Sequence, residues 1–123
     1  MKSLLLKDMT VPQLIEQFTS LALGQFKAEL YGEIKKYNRM YDEIVAIRQE
    51  LKNRANDQRT ALVPLFTHTN PQVRLMAAQS ALAVAPAAAQ QTLQALSDRN
   101  IYPQAAYARG TLMALERGDR KPT

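Results

Sequence analysis

The sequence predicts an all-α fold, a stack of antiparallel helical hairpins with about six helices. Three observations carry this. Apolar residues recur at three- and four-residue spacing in almost every segment, so each segment presents one greasy stripe. No alternating apolar run bounded by turn residues reads as a strand. Proline and capping residues punctuate the chain at intervals that suit short helices. With 123 residues, 46% apolar and 22% charged, the chain is long enough to bury a core without staples. We read residues 1–118 as a single helical-repeat domain and 119–123 as a flexible tail.

The first helix is expected from Val11 to about Leu23. Thr10 and Gln13 form a capping-box pattern, in which each side chain satisfies a free backbone amide of the other. Pro12 falls in the first turn, where a missing N–H costs nothing. Leu14, Phe18 and Leu21 share a face, and Gly24 weakens the far end. The second helix is expected to be long, from about Phe26 to Arg54. Its stripe is Leu30, Ile34, Tyr37, Tyr41, Ile44 and Leu51, with Met40 and Ile47 at the edge. Gly32 bends this helix or breaks it near its start.

Asn56 or Asp57 caps a third helix over about 58–67, with Leu62, Leu65 and Phe66 inward and Pro64 kinking it. Asn70-Pro71 opens a fourth, an N-cap followed by proline at the first helical position. That helix reaches about Val84, with Val73, Met76, Ala77, Ala81 and Val84 on one side. Pro86 opens a fifth, burying Leu93 and Leu96. Pro103 opens a sixth, burying Ala108, Leu112 and Leu115 and ending at Gly118.

The composition excludes several chemistries. The chain has no cysteine, which removes disulfides, thiolate metal sites and a cysteine nucleophile. The run Leu4-Leu5-Leu6 is too short for a secretory signal, and no segment approaches the roughly 20 apolar residues of a membrane span. We therefore expect a cytoplasmic protein with no membrane association. The only histidine, His68, falls at the end of the third helix, where a protonated imidazole would serve as a cap. No G-x-S-x-G turn accompanies it. Glu29 and Glu33 stand one helical turn apart but lack the histidine or further acids of a carboxylate metal site. The glycines at 24, 32, 110 and 118 form no phosphate loop. The expectation is a chain that is not an enzyme, with no catalytic residues, cofactor or metal.

Charge gives a weaker signal. Lys and Arg number 16 against 11 Asp and Glu, a net charge of +5. Between residues 35 and 59 lie Lys35, Lys36, Arg39, Arg48, Lys52, Arg54 and Arg59, facing Asp42, Glu43, Glu50 and Asp57. At 100° per residue these cations do not gather on one stripe, and Glu50 pairs with Arg54 at i+4.

The C-terminal half repeats itself. Leu62 and Leu65 match Leu93 and Leu96 at an offset of 31, and Pro71-Gln72 matches Pro103-Gln104 at an offset of 32. A single helix–turn–helix unit cannot bury its own apolar faces, so such units must stack. The segment Asn70-Pro71-Gln72-Val73-Arg74-Leu75-Met76-Ala77-Ala78-Gln79-Ser80-Ala81-Leu82 resembles the second helix of a HEAT repeat. The later copy departs from that pattern, with Ala105-Ala106 in place of Val-Arg and Arg109-Gly110 in place of paired alanines. The chain from Val11 to Gly118 also resembles a bacterial domain family of unknown function with a HEAT-like C-terminal half. The stretches Lys36-Tyr37-Asn38-Arg39 and Leu62 to Leu82 carry that likeness. The resemblance implies a right-handed HEAT-like or armadillo-type superhelix and no established activity. It also implies that Arg74 ties neighbouring repeats together.

Solenoids present broad surfaces to other proteins. The functional expectation is a non-catalytic protein-interaction module, a bacterial adaptor or immunity-type protein, with another protein as partner. Its candidate partner-binding residues are Asn38, Arg39, Arg74, Gln79, Tyr107 and Arg109. Asn38 is an indifferent helix former placed mid-helix. The other residues flank the surface that stacked hairpins would offer. The alternative is a nucleic-acid-binding protein using the basic residues of the long second helix.

Overall fold

Thr10 begins the first long helix as its side chain predicts. Its Oγ1 accepts the Gln13 N–H at 3.2 Å, and Gln13 Oε1 accepts the Thr10 N–H at 2.8 Å. The computed structural model describes residues 5–123; Leu4 of the apolar run lies outside them. The described residues form helices and no strand. They are a 3-10 helix at Leu6–Asp8, α1 at Val11–Leu30, α2 at Ile34–Asn53 and a second 3-10 helix at Gln58–Thr67. Then follow α3 at Pro71–Ser80, α4 at Pro86–Asp98 and α5 at Gln104–Arg117. None of the helices is long and apolar enough to cross a membrane. The chain divides into two compact units, Met1–Ala61 and Leu62–Thr123, and the second 3-10 helix carries the chain from one into the other.

In the first unit α1 and α2 pack as an antiparallel hairpin. The expected long second helix is two elements here. Helix α1 runs on through Gly24 to Leu30, and the chain turns at Gly32, whose φ is +67°. The Gly32 N–H donates to the Glu29 carbonyl and the Glu33 N–H to the Ala28 carbonyl, the paired bonds of a Schellman motif with glycine at its left-handed position. Gly24 does not end α1. A Cβ there would lie 2.7 Å from Met40 Cε, so the bare backbone lets α2 approach.

The hairpin core is Leu14, Phe18, Leu21, Ala22 and Ala28 of α1 against Ile44, Ile47 and Leu51 of α2. The predicted stripe continues beyond this core without being buried: no residue from Ile34 to Glu43 is buried. Arg54 closes the far end. Its Nε donates to Glu50 at 2.9 Å, and its Nη2 donates to the carbonyls of Leu6 and Met9 at 3.0 and 2.7 Å.

Asp57 starts the second 3-10 helix by accepting the Arg59 N–H at 3.3 Å. This segment stays 3-10 over all ten residues instead of forming a kinked α-helix. An α-turn would drive the Pro64 ring into the carbonyl four residues earlier.

In the second unit α3, α4 and α5 pack on one another. Asn70 Oδ1 caps α3 by accepting the N–H groups of Gln72 and Val73 at 2.8 and 3.3 Å. Helix α3 is central: seven of its ten residues are buried, the pattern of a helix surrounded by protein. It ends at Ser80 rather than near Val84. Pro86 opens α4, which buries Ala89, Leu93, Leu96 and Ser97. Pro103 precedes α5 as its N-cap, after a cis Tyr102–Pro103 bond. The buried face of α5 is Gln104, Ala105, Ala108 and Thr111; Leu112 and Leu115 are only half-buried. Gly118 closes α5 with φ +79°. Beyond it the Arg120 N–H donates to the Ala114 carbonyl at 3.1 Å.

Residues at equal positions of the two C-terminal segments meet. Gln104 Nε2 donates to Gln72 Oε1 at 3.0 Å, and Gln79 Nε2 donates to Thr111 Oγ1 at 2.9 Å. Both pairs are separated by 32 residues, the offset that relates Pro71-Gln72 to Pro103-Gln104.

Candidate functional site

The turn that ends α1 puts three large apolar side chains side by side in solvent. Leu30, Tyr31 and Ile34 are 68, 70 and 71% exposed. Leu30 is the last residue of α1, Tyr31 begins the turn and Ile34 is the first residue of α2, so chain connectivity alone keeps them together. Tyr41, two turns further along α2 on the side of Ile34, is also exposed. Burying a leucine or isoleucine side chain is worth about 1.5–3 kcal/mol, and at 68 and 71% exposure Leu30 and Ile34 gain only the smaller part of it. The charge around them is mainly positive: between residues 27 and 39 lie Lys27, Lys35, Lys36 and Arg39 against Glu29 and Glu33.

The candidate residues fall in both units. Asn38 and Arg39 are exposed on the first turns of α2, next to this apolar tip. The other four belong to the C-terminal unit. Arg74, half-buried on α3, donates from Nη1 to the carbonyls of His68 and Thr69 at 2.9 and 3.5 Å. Gln79 is held by Thr111, and the Arg120 guanidinium reaches the Gln79 carbonyl at 3.5 Å. Tyr107 is exposed on α5. Arg109 turns inward to the end of α4. Its Nε and Nη2 donate to the Ser97 hydroxyl and carbonyl at 3.0 and 2.7 Å. It also donates to Tyr102 Oη and Asn100 Oδ1, and it sits 5.4 Å from the Tyr102 ring centroid. These contacts hold the 97–102 turn.

Three sequence readings change here. The His68 side chain serves the turn that follows it and not the helix end before it: its Nδ1 accepts the Asn70 N–H at 3.0 Å, which orders the chain into α3. Glu29 and Glu33 are not one turn apart on a single helix, because Glu29 lies on α1 and Glu33 is the N-cap of α2. The basic cluster of residues 35–59 is not all surface. Besides Arg54, Arg59 is buried and paired with Asp57 at 2.6 Å. That pair holds the Asp57 carboxyl below the ordinary aspartate value, first through the hydrogen bond from Arg59. The Arg59 guanidinium is raised by the same bond.

Leu30 and Ile34 belong to the apolar stripe that the sequence predicts, and Tyr31 is not among the candidate residues. The signal for their exposure is the break expected at Gly32, which the structure makes a turn between two helices.

Residues 12–116 match the family described as "Domain of unknown function (DUF2019)", and the chain belongs to that family. It is also similar to a solved structure, the crystal structure of the protein RPA1889 from Rhodopseudomonas palustris CGA009. The two are 40% identical, with a TM-score of 0.94 over 98% of this chain and 100% of that one. No curated protein matches the chain.

Proposed function

We propose that the chain is a non-catalytic interaction module, an adaptor or immunity-type protein, that docks an acidic surface of another protein with the tip of its N-terminal hairpin. The observation that carries this reading is the trio Leu30, Tyr31 and Ile34, each more than two-thirds exposed. Aromatic and aliphatic anchors of this kind dominate binding energy when a partner excludes water from them. Lys35, Lys36 and Arg39 beside them give the approach a sign, since a positive rim steers and selects an acidic partner. Asn38 supplies an amide for hydrogen bonding on the same turns of α2. The 32-residue pairing of α3 with α5 supports a HEAT-like repeat in the C-terminal unit, with Arg74 and Arg109 as residues that brace it.

The nucleic-acid reading draws less support. Arg54 and Arg59 make internal bonds, and Lys35, Lys36 and Arg39 lie on the first turns of α2 beside exposed apolar side chains.

The test is capture from nuclease-treated host extract by the wild-type chain and by a Tyr31→Glu/Ile34→Glu variant. Both positions are exposed, so the variant keeps its helical circular dichroism. One protein recovered at stoichiometric level by the wild type, lost with the variant and weakened at about 0.5 M salt, is the expected result. Equal recovery by both chains, or recovery that disappears with nuclease treatment, overturns the reading.

A further inference from the structure

Helix α4 presents Thr92, Ala95, Leu96 and Arg99 at i, i+3, i+4 and i+7, the spacing that lines one face of a helix. Arg74 meets that face from α3, and together these five residues line a cavity of about 160 Å³. Its charge is one-sided. Arg74 spends Nη1 on two neutral carbonyls, those of His68 and Thr69. Among the described residues no carboxylate forms an ion pair with Arg74 or Arg99. Asp98, next to Arg99 in the chain, instead accepts from Gln94 Nε2 at 2.9 Å. The Thr92 hydroxyl donates to the Ala88 carbonyl at 2.9 Å, so the donors offered to the cavity are guanidinium N–H groups. The floor is apolar, from Ala95 and the buried Leu96.

Two cations on one cavity repel each other and, when partly desolvated, lack the compensation that water supplies. Burial pushes the Arg74 guanidinium below the ordinary arginine value, and the charge of Arg99 adds to the effect. An anion seated between them would reverse both penalties. Guanidinium forks match the oxygen spacing of carboxylate and phosphate groups, and charge-assisted bonds of this type are the strong ones.

We propose that Arg74 and Arg99 form a binding site for a small oxyanion, a carboxylate or a phosphate group, in the cavity between α3 and α4. The site stands independently of the protein-docking reading, because a free anion suffices to fill it and the hairpin tip contributes no residue to it.

The experiment titrates the full chain separately with inorganic phosphate and with acetate, following backbone amide shifts by NMR at constant ionic strength set with chloride. Saturable shifts confined to Arg74 and residues 92–99 are expected with at least one anion. The tighter of the two identifies whether a tetrahedral or a planar oxyanion fits. Arg99 is exposed, so Arg99→Gln leaves the fold intact, and loss of one charge-assisted contact weakens binding by roughly tenfold. Arg117→Gln, at an exposed arginine paired with Asp119, serves as the control and leaves binding unchanged. The proposal is overturned by shifts spread over all basic residues, by no saturation with either anion, or by equal affinity of the Arg99→Gln variant and the wild type.

Discussion

At the scale of single residues, three of the arginines act inward. Arg54, Arg59 and Arg109 each bind atoms brought to them by the fold, and Arg59 depends on Asp57 most directly. Because the native Asp57 carboxyl titrates below the ordinary aspartate value of 3.8, the unfolded chain binds more protons than the folded one in that interval. The contribution is therefore complete above about pH 3.8 and fades as pH falls through the lower native value. Asp57→Asn tests this cleanly, since asparagine tolerates the residue's φ of +47° while removing the charge. Urea denaturation at neutral pH is expected to show the variant less stable by roughly 1 kcal/mol, a figure kept small by solvent screening at the partly exposed carboxyl. The gap should begin to narrow below about pH 3.8 and close as pH falls through the lower native value. A gap that persists unchanged at pH 2.5 would show that shape, not charge, sets the cost.

At the scale of elements, two glycines of the hairpin have opposite roles. Gly32 sits at φ +67° with open space where a Cβ would stand; its demand is conformational. Gly24 has ordinary helical backbone but faces Met40 Cε and Sδ at 2.7 and 2.8 Å; its demand is steric. An alanine at 32 must enter the left-handed region, which costs a non-glycine residue about 1–2 kcal/mol. An alanine at 24 gains close to 1 kcal/mol of helix propensity and needs only the flexible end of the half-exposed Met40 to swing aside. Gly32→Ala is thus expected to lower the urea midpoint, and Gly24→Ala to raise stability by roughly 0.5 kcal/mol. A destabilised Gly24→Ala variant would mean that Met40 is fixed in place.

The same hairpin shows what a sequence discloses about elements and what it hides. Thr10 with Gln13, and Asn70 with Pro71, are local signals, and the helices begin where they stand. The end of α1 was hidden because Leu30, Ile34, Tyr37 and Tyr41 keep helical spacing across the turn, so the stripe ran through a break that only Gly32 marked. Arg54 pairs with Glu50 as their i+4 spacing predicts, but its carbonyl partners lie 45 and 48 residues away, beyond the reach of any local pattern. The Gln72–Gln104 pair joins positions whose correspondence was visible, whereas their mutual hydrogen bond was not. Of the candidate residues, Asn38 and Arg39 are singled out by residue type and prove to be exposed. The apolar tip is not singled out, because periodicity reports which side chains share a face and not whether anything covers it.

At the scale of the whole molecule, the chain buries two sets of apolar side chains, one in each compact unit. Leu14, at 0% exposure, lies in the first unit, and Leu93, also at 0%, in the second. Truncating either to alanine removes about 2–5 kcal/mol of local packing. If each unit opens with its own free energy, the damage stays where it is made. Native-state hydrogen exchange should then show Leu14→Ala accelerating the amides of α1 and α2 and leaving α4 and α5 at wild-type protection. Leu93→Ala should show the reverse. Uniform acceleration by either variant would mean that the two cores open as one cooperative body. That distinction bears on the proposed docking, because a hairpin that opens by itself could adjust its exposed tip to the partner proposed for it while the C-terminal unit, with its paired glutamines, keeps its shape.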